Sequence, residues 1–339
     1  MSPPGLLAYA PPSGAEAALH AITALRAADH ARHALHDETR DWPETNCYVD
    51  LWIELLAARG FQPEAALGFT LTQDFEGDQF TFFKFPLHDL QAFYGATVQE
   101  LSIYDSVETH AIEQTARGRA VLVEVDGYYL PDTRGVSYQR QHTKTTIAIN
   151  RIDPAARQLE YFHNAGFFAL DGDNYDGVFT KLPQQQRDEI LFPYVEFVRF
   201  DGEALQGEAL RAAALARLRQ HYARRPQRNP VRAFAKVIGA QTEAVATRAP
   251  DFFHAYAFNT LRQLGANFEL CSSHLAWLFR DGEAAGAMAA AKAISGGAKS
   301  LQFQLARAVA RKRFSGLEEA LAPIADVYDT VFENLARIA

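Results

Sequence analysis

In the stretch ETNCYVDLWIELLAARG, residues 44 to 60, apolar positions recur at helical spacing and then some. Val49, Leu51, Trp52, Ile53, Leu55 and Leu56 cover most of the circumference, leaving Asp50 and Glu54, one turn apart, as the only polar strip. A helix apolar nearly all round belongs at the centre of a fold. Thr45 or Asn46 can cap its start and Gly60 supplies its stop. Ahead of it, residues 1–14 are rich in Pro and Gly and read as an extended arm, and residues 15–38 read as an alanine-rich helix.

Beyond residue 60 the pattern changes. LGFTLTQDFEGDQFTFFKF predicts strands and loops, PLHDLQAFYG a short helix, and residues 107–117 another. VLVEV alternates and is β-branched, so it predicts a strand. TKTTIAINRI and QLEYFHNA predict two more, joined by the turn DPAAR, and EILFPYVEFVRF a last one near 190–200. After residue 201 every segment is helical and rich in alanine. The pattern therefore divides the chain into an arm and helix (1–40), an α+β domain with an antiparallel sheet (41–201), and an all-α helical bundle (202–339).

Composition narrows the function classes. With 339 residues, 48% of them hydrophobic, the chain can bury a large core. A net charge of −8 argues against nucleic-acid binding, which needs a basic footprint. Two cysteines cannot build a disulfide framework or a four-thiolate zinc site, and reduced thiols fit a cytoplasmic setting. No leader peptide or membrane span is expected. His30, His33 and His36 invite a metal reading. On a helix, however, His30 and His36 diverge by about 120°, so a solvated helix end is expected instead. Asp74, Glu76 and Asp78 lack the spacing of a calcium loop. Cys271 and His274 read as bundle residues, and the basic stretches 219–232 and 310–314 as solvated faces or a landing site for an acidic carrier protein.

Candidate chemistry gathers in the α+β part. Cys47 heads the buried helix, where the positive end of the dipole favours thiolate. His142 opens one strand and His163-Asn164 close the next, so a hairpin places them at the same end of the sheet. An imidazole beside a thiol makes it nucleophilic, and a carboxamide or carboxylate can hold the imidazole tautomer. Asp126 ends the strand before His142. It is either a local strand-end hydrogen-bonder or an acid at the cleft, with Tyr128 beside it or merely packed.

This order of cysteine, histidine and Asn resembles the papain-like cysteine peptidase and acyltransferase superfamily. ETNCYVDLWIELL, DFEGDQFTFFKFP, VEVDGYYLPDT, HTKTTIA and YFHNAGFF are similar to a bacterial family known only as a domain of unknown function, over roughly residues 36 to 335. Residues 45–165 more remotely resemble the N-terminal domain of butirosin biosynthesis protein H, an acyltransferase. The resemblance implies a papain-like domain with Cys47 as nucleophile, His142 as general base and Asn164, or the adjacent His163, as orienting residue. It also implies an acyl or peptidyl carrier protein as donor partner, carrying its own phosphopantetheine, a small amine acceptor, and no cofactor bound by this chain. Papain-type peptidases place an oxyanion-hole glutamine six residues before the cysteine. Here that position is Asp41, leaving Asn46 or Thr45 as the expected second donor. The gap favours acyl transfer over peptidase or amidase action. A non-catalytic binding protein on the same scaffold is the third reading.

Overall fold

The computed structural model describes residues 23–186 and 191–338. The arm at 1–14 and the first part of the expected helix, 15–22, lie outside the described residues. The α+β part contains α1 (Cys47–Ala58), α2 (Leu87–Tyr94), β1 (Ala96–Glu100), α3 (Val107–Ala116), β2 (Ala120–Asp126) and β3 (Lys144–Asp153). It continues with β4 (Gln158–His163), β5 (Gly166–Asp171), α4 (Gly172–Val178) and β6 (Val195–Phe200). The helical part follows as α5 (Gly207–Ala223), α6 (Pro230–Val245), α7 (Pro250–Ala257), α8 (Gln263–Leu278), α9 (Ala285–Arg311) and α10 (Leu317–Leu335). A π-helical turn, Phe258–Arg262, joins α7 to α8.

The strands form one antiparallel sheet in the order β1-β6-β2-β3-β4-β5. Strand alternation gives it two different faces. Ala120, Leu122, Ala148, Phe162 and Val198 pack in one apolar cluster with α1 and the helical part. Val121, Val123, Ile147, Leu159 and Tyr161 pack in a second, with α3 and α4. The sheet thus separates two cores, and the larger one runs across the junction between the α+β and helical parts.

Three expectations need correction. Residues 23–38 are not an α-helix but two short 3-10 turns, Ala27–Asp29 and Ala34–His36, joined by extended backbone. The path is set by long-range partners: the Thr23 N–H donates to Asn150, Arg26 pairs with Glu160, and His30 bonds Glu54. Tertiary contacts override helix propensity here. LGFTLT is not a strand either. Pro63–Thr72 is a run of 3-10 turns, and only Phe75 and Phe80 form an isolated bridge. That run docks on α8, where Asn267 donates to the Thr70 carbonyl and His274 Nδ1 meets the Glu64 carbonyl. Finally, ATVQE and GFFALD, which carried no strand expectation, form the outer strands β1 and β5.

The helical part also grips the loop ahead of α1. Glu269 of α8 accepts the N–H groups of Asp41 and Trp42, and the Trp42 indole N–H donates to the Ser295 carbonyl. The indole lies directly over Gly265, where an added Cβ would fall 2.5 Å from Nε1. Gly265→Ala should therefore displace the indole and destabilise the fold by about 2 kcal/mol. Urea unfolding of the two proteins checks this, and an unchanged midpoint would contradict the close packing.

Candidate active site around Cys47

Cys47 is the first residue of α1 and is half-buried. Asn46 caps the helix: its Oδ1 accepts the Val49 N–H, and its Nδ2 donates to the Phe83 carbonyl. Thr45 is tied to the polar strip, giving its N–H to Asp50 Oδ2 and its hydroxyl to Asp50 Oδ1. Thr45 spends its hydroxyl on Asp50 and keeps no free side-chain donor for an oxyanion, so the expectation for it is corrected, whereas Asn46 has only one of its two Nδ2 hydrogens taken by the Phe83 carbonyl. Asp41 lies with its carboxylate beside Gly296 of α9. On the next position of α1, the Tyr48 hydroxyl donates to Glu196 on β6, which also accepts the Tyr194 hydroxyl.

The polar strip of α1 is fully buried. Glu54 accepts from His36 Nδ1 at 2.5 Å and the His33 N–H at 3.0 Å, and meets His30 Nε2 at 2.8 Å. The other His36 nitrogen faces Asp50 Oδ1 at 3.3 Å. These histidines are no solvated helix end, because His36 is wholly buried. Burial alone pushes the His36 imidazole down. Its hydrogen bonds to Asp50 and Glu54, with their charges, outweigh that and lift it to about 9. Burial raises Glu54, but hydrogen bonds from His30 and His36, the His36 charge and the His33 N–H bring it down to about 2. Among the described residues, no three His, Cys, Asp or Glu side chains are grouped to hold a metal ion.

His142 stands just before β3, its side chain 71% exposed. Its Nδ1 meets Asp126 Oδ2 at 2.5 Å, and its ring stacks on Tyr128 with centroids 4.6 Å apart. Asp126, and neither Asn164 nor His163, is thus the residue that holds His142. Asp126 shares the strand parity of Ala120 and Leu122, so it lies on the α1 side of the sheet. Asn164 is the left-handed turn residue of the β4–β5 hairpin, at φ 44°. That conformation suits Asn for a local reason.

His163 belongs to the opposite face. It shares parity with Tyr161, its Nδ1 meets Asp132 Oδ2 at 2.5 Å, and its Nε2 meets the Thr145 hydroxyl at 2.7 Å. Asp132 also accepts the Tyr161 hydroxyl. This buried chain ties the loop between β2 and β3 to the sheet, with the sheet itself between it and α1. Among the described residues no hydrogen bond joins Cys47 to His142, His163 or another histidine. Cavities of about 240 and 390 Å³ open elsewhere, one beside Arg26 and Glu160 and one beside Tyr222 and Tyr328. Cys271 is buried, which pushes its thiol up to about 12, and the buried His274 is pushed down to about 4. No helix among the described residues is long and apolar enough to cross a membrane.

Sequence reasoning missed Glu196 and Arg262. Arg262 reaches from the π-helical turn to the carbonyls of Thr45 and Glu44, at 3.1 and 2.8 Å. No local signal marks it, because its partners are 217 and 218 positions away.

These elements define a mixed α+β protein with a six-stranded antiparallel sheet, a buried helix headed by cysteine, and a helical C-terminal region. The chain belongs to the DUF1839 family: the DUF1839 N-terminal domain matches residues 31–200 and the DUF1839 C-terminal domain residues 207–337. A search of curated proteins finds no match.

The signs of the two shifted groups set a pH dependence. The His36 contribution to stability is complete below its ordinary 6.5 and is lost as pH rises through about 9. The Glu54 contribution is complete above its ordinary 4.5 and is lost as pH falls towards about 2. Thermal unfolding of wild type and His36→Gln should show a wide gap near pH 6 that closes as pH approaches roughly 10. A gap of constant size would contradict the buried charged pair.

Proposed function

We propose that this protein is a cysteine-dependent acyltransferase in which Cys47 takes an acyl group, on this reading an aminoacyl group, from a carrier-protein thioester and passes it to a small amine. The observation that carries the reading is the Asp126–His142 pair on the α1 side of the sheet. With Nδ1 engaged by the carboxylate, the exposed Nε2 is left for proton transfer. Asp126 takes the orienting role first expected of Asn164. The capped, half-buried head of α1 gives Cys47 an N–H and the positive end of a helix dipole at the place where negative charge would develop. In this scheme His142 leaves Tyr128, accepts the thiol proton, and later takes a proton from the attacking amine. The remote likeness to the acyltransferase domain of butirosin biosynthesis protein H supports transfer, as does the replacement of the peptidase glutamine by Asp41. The same residues acting with water would make a peptidase or amidase.

One observation favours a second reading, a non-catalytic binding protein: Cys47 has no histidine bonded to it among the described residues.

Incubation with an aminoacyl N-acetylcysteamine thioester, followed by intact-mass measurement, separates the readings. The transferase shows an adduct on wild type, none on Cys47→Ala, and an adduct discharged faster by amines than by water. His142→Ala should slow adduct formation by roughly 10²- to 10⁴-fold. An adduct lost equally fast with and without amine points to the hydrolase. No adduct, with the fold intact, supports the binding protein.

A further inference from the structure

Acylation of a cysteine passes through a tetrahedral oxyanion, which needs two hydrogen-bond donors. One is available at the head of α1, because the first N–H groups of a helix have no partner within it. The loop before Cys47 offers little for the second. Asp41 is an acceptor, Thr45 gives both its N–H and its hydroxyl to Asp50, and the Asn46 carboxamide is held by the Val49 N–H and the Phe83 carbonyl, with one neutral Nδ2 hydrogen left over.

The helical part brings a donor to this place. Arg262 sits on the π-helical turn Phe258–Arg262, a geometry often found at functional sites. Its Nε holds the Thr45 carbonyl and its Nη2 the Glu44 carbonyl, while its Nη1 has no partner among the described residues. Guanidinium stays charged at any working pH. Two carbonyl bonds therefore fix a permanent cation beside the backbone two residues ahead of Cys47, and leave one of its nitrogens free to donate.

We propose that Arg262 supplies the second oxyanion donor for Cys47, so that the α+β part carries the nucleophile and the helical part completes the hole. The inference rests on the acyltransferase reading. His142 takes the Cys47 proton, and the thiolate sulfur bonds to the thioester carbonyl carbon. The C=O π pair moves onto oxygen, where the Cys47 N–H and Arg262 Nη1 hold it. The pair then returns, the bond to the donor's sulfur breaks, and the departing thiolate takes the proton from His142.

Two reactions of the full-length chain separate this role from a purely structural clamp. Acylation by the aminoacyl N-acetylcysteamine thioester forms an oxyanion, whereas alkylation of Cys47 by iodoacetamide, a displacement at saturated carbon, forms none. Arg262→Gln should lower the acylation rate by about 10²-fold and leave the alkylation rate within about twofold. Arg262→Lys keeps the charge but loses the fork, and should show the same split with a smaller drop, which serves if the Gln variant fails to fold. Acylation at the wild-type rate in both variants overturns the proposal. So does an equal loss of acylation and alkylation, which would make Arg262 a clamp only. If wild type is alkylated but never acylated, the acyltransferase reading itself fails and this inference falls with it.

Discussion

Two carboxylates inside an otherwise apolar helix are the constraint on which the rest of the structure depends. α1 is buried from Tyr48 to Leu56, and Asp50 and Glu54 are buried with it. An unpaired buried charge costs several kcal/mol, so both need partners. The chain supplies them from residues 30–45. His36 lies between the two acids, His30 and the His33 N–H reach Glu54, and Thr45 closes on Asp50. Satisfying the acids draws the chain from His30 to Thr45 along α1 and fixes how it enters the helix. Cys47 is placed as a consequence, one residue past the Asn46 cap.

The sheet then divides the remaining chemistry. Two histidine–carboxylate pairs lie near the same sheet end, and side-chain alternation sends them to opposite faces. His142–Asp126 shares the α1 side, while His163–Asp132 is sealed on the other side beneath the loop that carries Tyr128. The first pair is open to solvent and can move a proton. The second is buried, with Thr145 and Tyr161 completing its bonds, and anchors the loop. A protein that kept one pair without the other would lose either the proposed base or the frame that presents it.

Much of this was legible in the sequence. The apolar coverage of α1 and the alternation in VLVEV, TKTTIAI and QLEYF announced the central helix and three strands of the sheet, because those patterns are local. The same alternation set Asp126 apart from the valines of its strand, although its bond to His142 depends on the path of the loop between β2 and β3. The short outer strands β1 and β5 carried too little pattern to stand out. The histidines at 30, 33 and 36 were misread for a related reason. Their spacing suits a solvated helix, and only the acids of α1, 14 to 24 residues away, make them a buried strap. Arg262 and Trp42 belong to contacts across more than 200 residues, where local periodicity says nothing.

The helical region is therefore a structural part of the site as well as a neighbour. It shares the core beneath α1 and holds the loop before Cys47 through Glu269, Gly265 and Arg262. The central claim is that Cys47 works with the His142–Asp126 pair on the face they share. A crystal structure of the protein carrying an acyl-mimicking adduct on Cys47 tests this most directly. The account predicts that the His142 ring leaves Tyr128 and brings Nε2 within about 3.5 Å of the adduct or the sulfur, with Nδ1 still on Asp126. A His142 ring still stacked on Tyr128 and open to solvent, with no imidazole touching the adduct, would contradict it.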